Sequence, residues 1–216
     1  IATARWIYLL LGCVGGCGAA VLAYQFFSHV QVRVQAWKDP FSCIDDAGYQ
    51  ITQSLFAISS GGWFGLGLFR GTPASIPFVE ADFVFSAVAE ELGILFSMCM
   101  ILVCISCFIM FMDISVRLQD KFYQLIAFGL GVTYIFQVFL TVGGGTKFIP
   151  MTGVTLPFIS YGGSSVLTTL VMFFIIEGLF IIRQEEGAKR VRRKKRRRPV
   201  QRERTRAEDQ EEEEEE

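Results

Sequence analysis

Positive charge is what the body of this chain has least of. Of its 20 Lys and Arg residues, seven lie between Ile1 and Ile182 and thirteen between Arg183 and Arg206. A soluble domain carries charge over its whole surface, so residues 1–182 do not read as one. The formal net charge of -1 averages these unlike regions. Histidine occurs once, as His29. No Ser, Cys or carboxylate stands at an evident spacing from it, so it reads as an interfacial helix end and not as a catalytic base. The six cysteines form no regular pattern. Cys13, Cys17, Cys99, Cys104 and Cys107 lie inside apolar runs, where a thiol packs as a small hydrophobe, and only Cys43 looks exposed. No disulfide framework follows. Cys104 and Cys107 have CxxC spacing but no partner pair, which excludes a zinc ribbon. The glycine-dense stretch 61–71 lacks the GxxxxGK[ST] order of a phosphate loop.

Apolar residues fill the space that charge leaves. They make up 52% of the chain, which holds 21 phenylalanines. Four segments are long and apolar enough to cross a bilayer: 6–27, 92–112, 122–142 and 164–182. The expected fold is therefore all-α, a polytopic helical membrane protein with four spans. Residues 1–182 form its membrane domain and residues 183–216 a tail. The first span is too long for a signal-peptide core and has no small-residue cleavage site. Because the chain opens on Ile1, its start is expected to be a cut edge with more membrane protein before it.

Two long connections separate the spans. Within the first, 49–60 has apolar residues at 51, 55 and 58, a helical stripe too short and polar to span, and so a helix lying at the surface or re-entering. The second, 143–163, is rich in Gly and Pro, with Lys147 its only charge. Irregular apolar backbone near a membrane is tolerated where protein buries it or water lines it, so this loop is expected to fold over a cavity. Ser164 or Ser165 can cap the last span and turn its N–H groups toward that cavity. Glu177 falls inside the last span and is expected to face the bundle. The tail, basic and then acidic, cannot bury a core. Beside a membrane helix it reads as an anchor on anionic lipid heads, with no nucleic-acid partner. The positive-inside rule puts the tail in the cytoplasm, and four spans then put 28–91 and 143–163 outside.

At the mouth of the second span stands IPFVEADFVFSAVAEELG (76–93). It places Glu80 and Asp82 before an apolar run and Glu90 and Glu91 at its first turns. A carboxylate there avoids lipid and faces protein or a watery cavity. Asp82 is the candidate for chemistry; the plainer alternative is a helix N-cap with Phe83 as the first helical residue.

Three stretches carry a resemblance: GYQITQSLFAISSGGWFGLGL (48–68), EADFVFSAVAEELG (80–93) and GVTLPFISYGGSS (153–165), in that order between apolar spans. With them the chain resembles the SEDS proteins (shape, elongation, division and sporulation), the FtsW/RodA/SpoVE family of bacterial peptidoglycan polymerases. The resemblance implies that this chain corresponds to the seventh to tenth of ten spans. It implies a glycosyltransferase that polymerises lipid II onto a growing glycan strand at the outer face of the cytoplasmic membrane, partnered by a monofunctional penicillin-binding transpeptidase. It also implies that Asp82 is the essential aspartate. Many members have His-Thr before that position where this chain has Glu80-Ala81. The adjacent Glu80 can raise the Asp82 pKa or share a divalent cation, Mg or Mn, with it.

Joining a β-1,4 glycan from an α-linked diphosphate inverts the anomeric carbon, which needs a base for the acceptor hydroxyl and positive charge for the leaving diphosphate. On the outer side only Arg33, Lys38, Arg70 and Lys147 are basic, and Arg70 and Lys147 are the expected diphosphate contacts. Ser164 and Ser165 are expected to meet the substrate at the last span's N-terminus, with Glu90 and Glu91 orienting the loop above or pairing with Arg70. Two rival functions remain open, a flippase for a lipid-linked sugar and a non-catalytic scaffold of a division or elongation complex.

Overall fold

A computed structural model describes residues 6–188, all of whose regular elements are helical. The tail from 189 onward, including the basic block and the acidic run, lies outside the described residues. In chain order the helices are α1 (Trp6–Phe26), α2 (Ser28–Lys38), α3 (Tyr49–Gly61), α4 (Val84–Arg117), α5 (Lys121–Gly145) and α6 (Gly163–Ala188). Short 3-10 turns at Pro40–Cys43 and Pro73–Ser75 punctuate the first connection.

Among the described residues α4, α5 and α6 are each long and apolar enough to cross a membrane. The fourth expected span is different. Phe27 takes an extended conformation between α1 and α2, and the axis turns by 100° there. The two helices pass as one span only when taken together. The turn brings α2 to the second long loop, and Gln31 Nε2 donates back to the Tyr24 carbonyl at 2.9 Å.

The bundle core lies between α4, α5 and α6. Phe111, Tyr134, Val138, Met172, Ile176 and Leu179 are buried there. The rings of Phe111, Tyr134 and Phe173 meet edge to face at 5.0–5.7 Å, the geometry aromatic quadrupoles favour. At the far end Asp113 accepts from Arg117 at 2.6 Å and from Arg183 at 3.0 Å, tying α4 to α6. The sequence closes α4 near 112; it runs on to Arg117, since Arg117 and Asp113 pair along the helix. The last helix likewise continues past Ile182 to Ala188. Glu177 corrects another expectation, because it sits on the exposed face of α6 instead of facing the bundle.

At 34 residues α4 is about 50 Å long, well beyond the ~30 Å of a hydrocarbon core. It is also broken. Gly93 has φ 85 and ψ 170, a conformation open to glycine. A break strands backbone groups on both sides, which near a membrane must be met by protein. The loop after α3 meets them. Leu66 and Gly67 N–H donate to the Glu90 and Glu91 carbonyls at 2.9 and 3.0 Å, while Ile94 and Leu95 N–H donate to the Gly62 and Trp63 carbonyls at 3.0 and 3.4 Å. A side chain on Gly65 would collide with the Glu91 carbonyl. The segment from α3 to Asp82 is thus a hairpin whose loop, 62–67, packs against α4 on either side of Gly93. Residues 49–61 form the expected short helix.

Candidate active site

Asp82 sits where that hairpin ends. Phe83, fully buried against Ala57 and Ile76, fixes the chain just after it. Ahead of it, Phe78 adopts φ 58, and its carbonyl accepts from both Ala81 N–H (3.0 Å) and Asp82 N–H (3.1 Å). A bulky residue in the left-handed region is strained, and such strain persists only where the surroundings over-determine it. From the other side Tyr161 N–H donates to the Glu80 carbonyl at 2.7 Å, tying this turn to the second long loop.

The N-cap alternative does not hold. The cap of α4 is Phe83, and no side chain caps it. The Asp82 carboxylate accepts no hydrogen bond among the described residues. Instead it lines a crevice with Leu140, Thr141 and Gly145 of α5 and residues 151–154 of the loop. That crevice has room for about one water molecule. Thr141 holds the loop in place, its hydroxyl donating to the Val154 carbonyl at 2.7 Å. Burial pushes the Asp82 carboxyl above the ordinary carboxylate range, and the positive charge of Arg33 pulls partly against it.

Arg33 is the functional candidate that sequence reasoning passed over. Its Nη1 donates to the Met151 carbonyl at 3.3 Å, and one turn on Trp37 Nε1 donates to the Lys147 carbonyl at 3.1 Å. These two residues four apart lie on one face of α2, and that face spans the second loop beside Asp82. The spacing is present in the sequence; the 100° turn that aims it is not.

The other expected site residues are dispersed. Arg70 lines a separate cavity with Glu90. Glu91 and Glu90 hold the loop above them, accepting from Phe69 N–H at 3.2 Å and Thr72 N–H at 3.0 Å. No ion pair joins either to Arg70 among the described residues. Lys147 is half-buried at φ 61, and its ammonium likewise has no ion pair among the described residues. It does not line the Asp82 crevice. The last helix begins at Gly163, so Ser164 and Ser165 stand inside its first turn and neither caps it. The Ser165 hydroxyl pairs with that of Thr155 at 2.6 Å, while Ser164 is exposed.

Of the pair expected to share a divalent cation, only Asp82 lines the crevice. The described residues hold no group of three His, Cys, Asp or Glu able to ligate a metal. Glu80 is exposed and absent from the crevice lining, and the charge beside Asp82 is a guanidinium.

Comparison with known proteins gives a consistent result. The family model described as "Cell cycle protein" (FtsW/RodA/SpoVE) matches residues 1–185. The "Peptidoglycan glycosyltransferase RodA" of Mycobacterium tuberculosis (strain ATCC 25618 / H37Rv) is 41% identical over 167 residues, covering 77% of this chain and 36% of the relative. The "Probable peptidoglycan glycosyltransferase FtsW" of Bacillus subtilis (strain 168) is 40% identical over 140 residues, or 64% of this chain and 35% of the relative. The chain thus spans little more than a third of the length of these relatives.

Proposed function

The chain belongs to the FtsW/RodA/SpoVE family of cell cycle proteins, and from that premise we propose that it carries the base-bearing part of a peptidoglycan glycosyltransferase, with Asp82 as general base. The substrates are lipid II and the growing glycan strand, joined at the outer face of the cytoplasmic membrane. Residues 28–91 and 143–163 face that side, the tail faces the cytoplasm and anionic lipids, and a monofunctional penicillin-binding transpeptidase is the working partner.

One observation carries this reading: a half-buried carboxylate, free of hydrogen bonds among the described residues, at a crevice walled by α5 and the second loop. A carboxylate that only stabilised the fold would be capping or pairing. In the reaction the Asp82 carboxylate takes the proton of the acceptor's 4-hydroxyl. The freed oxygen forms a bond to the anomeric carbon from the face opposite the diphosphate, whose bond to that carbon breaks with its electron pair. Inversion follows. A carboxylate lifted toward neutral pH is a better base than an ordinary one, and such proton transfer supplies roughly 10²–10⁴-fold, about 3–5 kcal/mol. Positive charge on the departing diphosphate comes from Arg33, beside the base, and from Lys147 in the loop that Arg33 and Trp37 hold.

Asp82→Asn in the complete protein should abolish elongation of labelled lipid II while leaving its amount in the membrane unchanged. An Asp82→Asn protein that elongates at the normal rate would remove Asp82 from the chemistry.

A further inference from the structure

Three glycines line the Asp82 crevice, Gly144 and Gly145 at the end of α5 and Gly153 in the second loop. What a side chain would meet differs among them. A Cβ on Gly144 would stand 3.6 Å from Met151 Cα, and one on Gly145 would stand 3.4 Å from Ser86 Oγ, so both glycines serve packing. A Cβ on Gly153 would stand 3.8 Å from Asp82 Oδ2, with no other atom beyond its chain neighbours within 4 Å among the described residues. Its φ of 74 lies in the left-handed region, which is open to glycine. The bare edge of this residue therefore faces the carboxylate assigned to the chemistry, at a crevice with room for about one water molecule.

The loop is held in place on both sides of Gly153. Before it the Met151 carbonyl accepts from Arg33 Nη1 at 3.3 Å, and after it the Val154 carbonyl accepts from the Thr141 hydroxyl at 2.7 Å. A methyl group on Gly153 would thus stay in van der Waals contact with Asp82 Oδ2. An O–H must come to about 2.5–2.7 Å from a carboxylate oxygen to bond with it, and the methyl would occupy that approach. We infer that Gly153 is a positioning residue for the base: its missing side chain keeps Asp82 Oδ2 open to one hydroxyl of the acceptor. This rests on Asp82 as the base and adds what that base can reach. The space beside Oδ2 takes an oxygen with its proton, so the acceptor meets the base through a single hydroxyl.

The test is elongation of labelled lipid II by the complete protein carrying Gly153→Ala, with rates taken per folded molecule in H₂O and in D₂O. The kcat should fall by about 10²-fold, the order expected when a reacting group is displaced by roughly 1 Å, while KM for lipid II stays within about twofold. Proton transfer to Asp82 then limits the rate, so the ratio of the rates in H₂O and D₂O should rise. Gly62→Ala supplies left-handed strain without the obstruction, since its φ is 56 and nothing lies within 4 Å of the added carbon. Its kcat per folded molecule and its isotope ratio should match those of the unsubstituted protein. A Gly153→Ala protein that elongates at the normal rate, where Asp82→Asn does not, would overturn the proposal and leave the base in place. A loss with an unmoved isotope ratio, or one that Gly62→Ala equals, would assign the effect to backbone strain and overturn it as well. An Asp82→Asn protein that elongates normally would remove the base, and the role of Gly153 with it.

Discussion

Ser54→Ala tests the packing that holds the crevice wall. The Ser54 side chain is fully buried, and its hydroxyl donates to the Gly145 carbonyl at 2.7 Å. That carbonyl is at the C-terminus of α5, where no helical partner exists. The same Ser54 oxygen lies 2.6 Å from Ser86 Oγ on α4. Ser54 has one proton and it goes to Gly145, so Ser86 must be the donor in the second bond. One side chain thus joins α3, α4 and α5, and Gly145 lines the Asp82 crevice. Replacing Ser54 by Ala strands a buried donor on Ser86 and a buried acceptor on Gly145. At about 1–3 kcal/mol for each stranded group, the loss is roughly 2–6 kcal/mol. Ser86→Ala strands no donor, because Ser54 keeps its bond to Gly145, and costs about 1 kcal/mol. In the double variant Ser86→Ala also removes the donor that Ser54→Ala had stranded. That variant should therefore be more stable than the sum of the singles by about 1–3 kcal/mol. Unfolding of the four proteins in mixed micelles, followed by tryptophan fluorescence, gives the cycle. Equal and additive losses from the two single variants would refute the assigned direction of the bonds.

Gly65→Ala should disrupt the hairpin's seat against the helix break and lower the melting temperature sharply. Gly62, at φ 56 and ψ -147 with nothing within 4 Å of the added carbon, carries backbone strain without a collision, so Gly62→Ala should lower the melting temperature less than Gly65→Ala, and equal melting temperatures would contradict the close approach. Arg33→Gln removes the charge that lowers the Asp82 pKa, so the acidic limb of the polymerisation rate should move to higher pH; an unmoved limb would detach Arg33 from the base. Lys147→Met should weaken lipid II turnover severely and Lys147→Arg should keep part of it. Lys147→Gly relieves the strain of φ 61. If Gly at this position, which also lacks the ammonium, restores the turnover lost with Met, the ammonium does not account for the loss.

The three spans that stand alone were legible because long charge-free runs have few other readings. What bends them was not. Gly93 sits in an apolar run, where a glycine reads as close helix packing, and only the loop contacts show it as a break. The first span looked continuous because Phe27 and the residues around it are apolar on both sides of the turn. Asp82 was singled out through its motif and its place at the mouth of a span. Arg33 was missed because distance along the chain favoured Arg70, which the hairpin carries to the Glu90 cavity. Ser164 and Ser165 were read as caps because hydroxyls favour that position, but the helix starts before them, at Gly163. Glu177 was expected to face the bundle because a carboxylate in a span avoids lipid. No periodicity argument over 164–182 separates its face from that of Ile176 beside it, which is buried.

The most direct test of Asp82 as base is the rate of labelled lipid II elongation measured against pH for the complete protein and its Asp82→Asn variant. The desolvated carboxyl titrates above the ordinary carboxylate range. The unsubstituted protein should therefore lose activity on the acid side above about pH 4, as that group takes up its proton. The Asp82→Asn variant should show no elongation at any pH. Because it replaces a destabilised charge with a neutral isostere, it should be at least as stable at neutral pH, where a carboxyl with a raised folded-state pKa opposes folding. An Asp82→Asn variant that elongates glycan with the same acid limb as the unsubstituted protein would contradict the assignment.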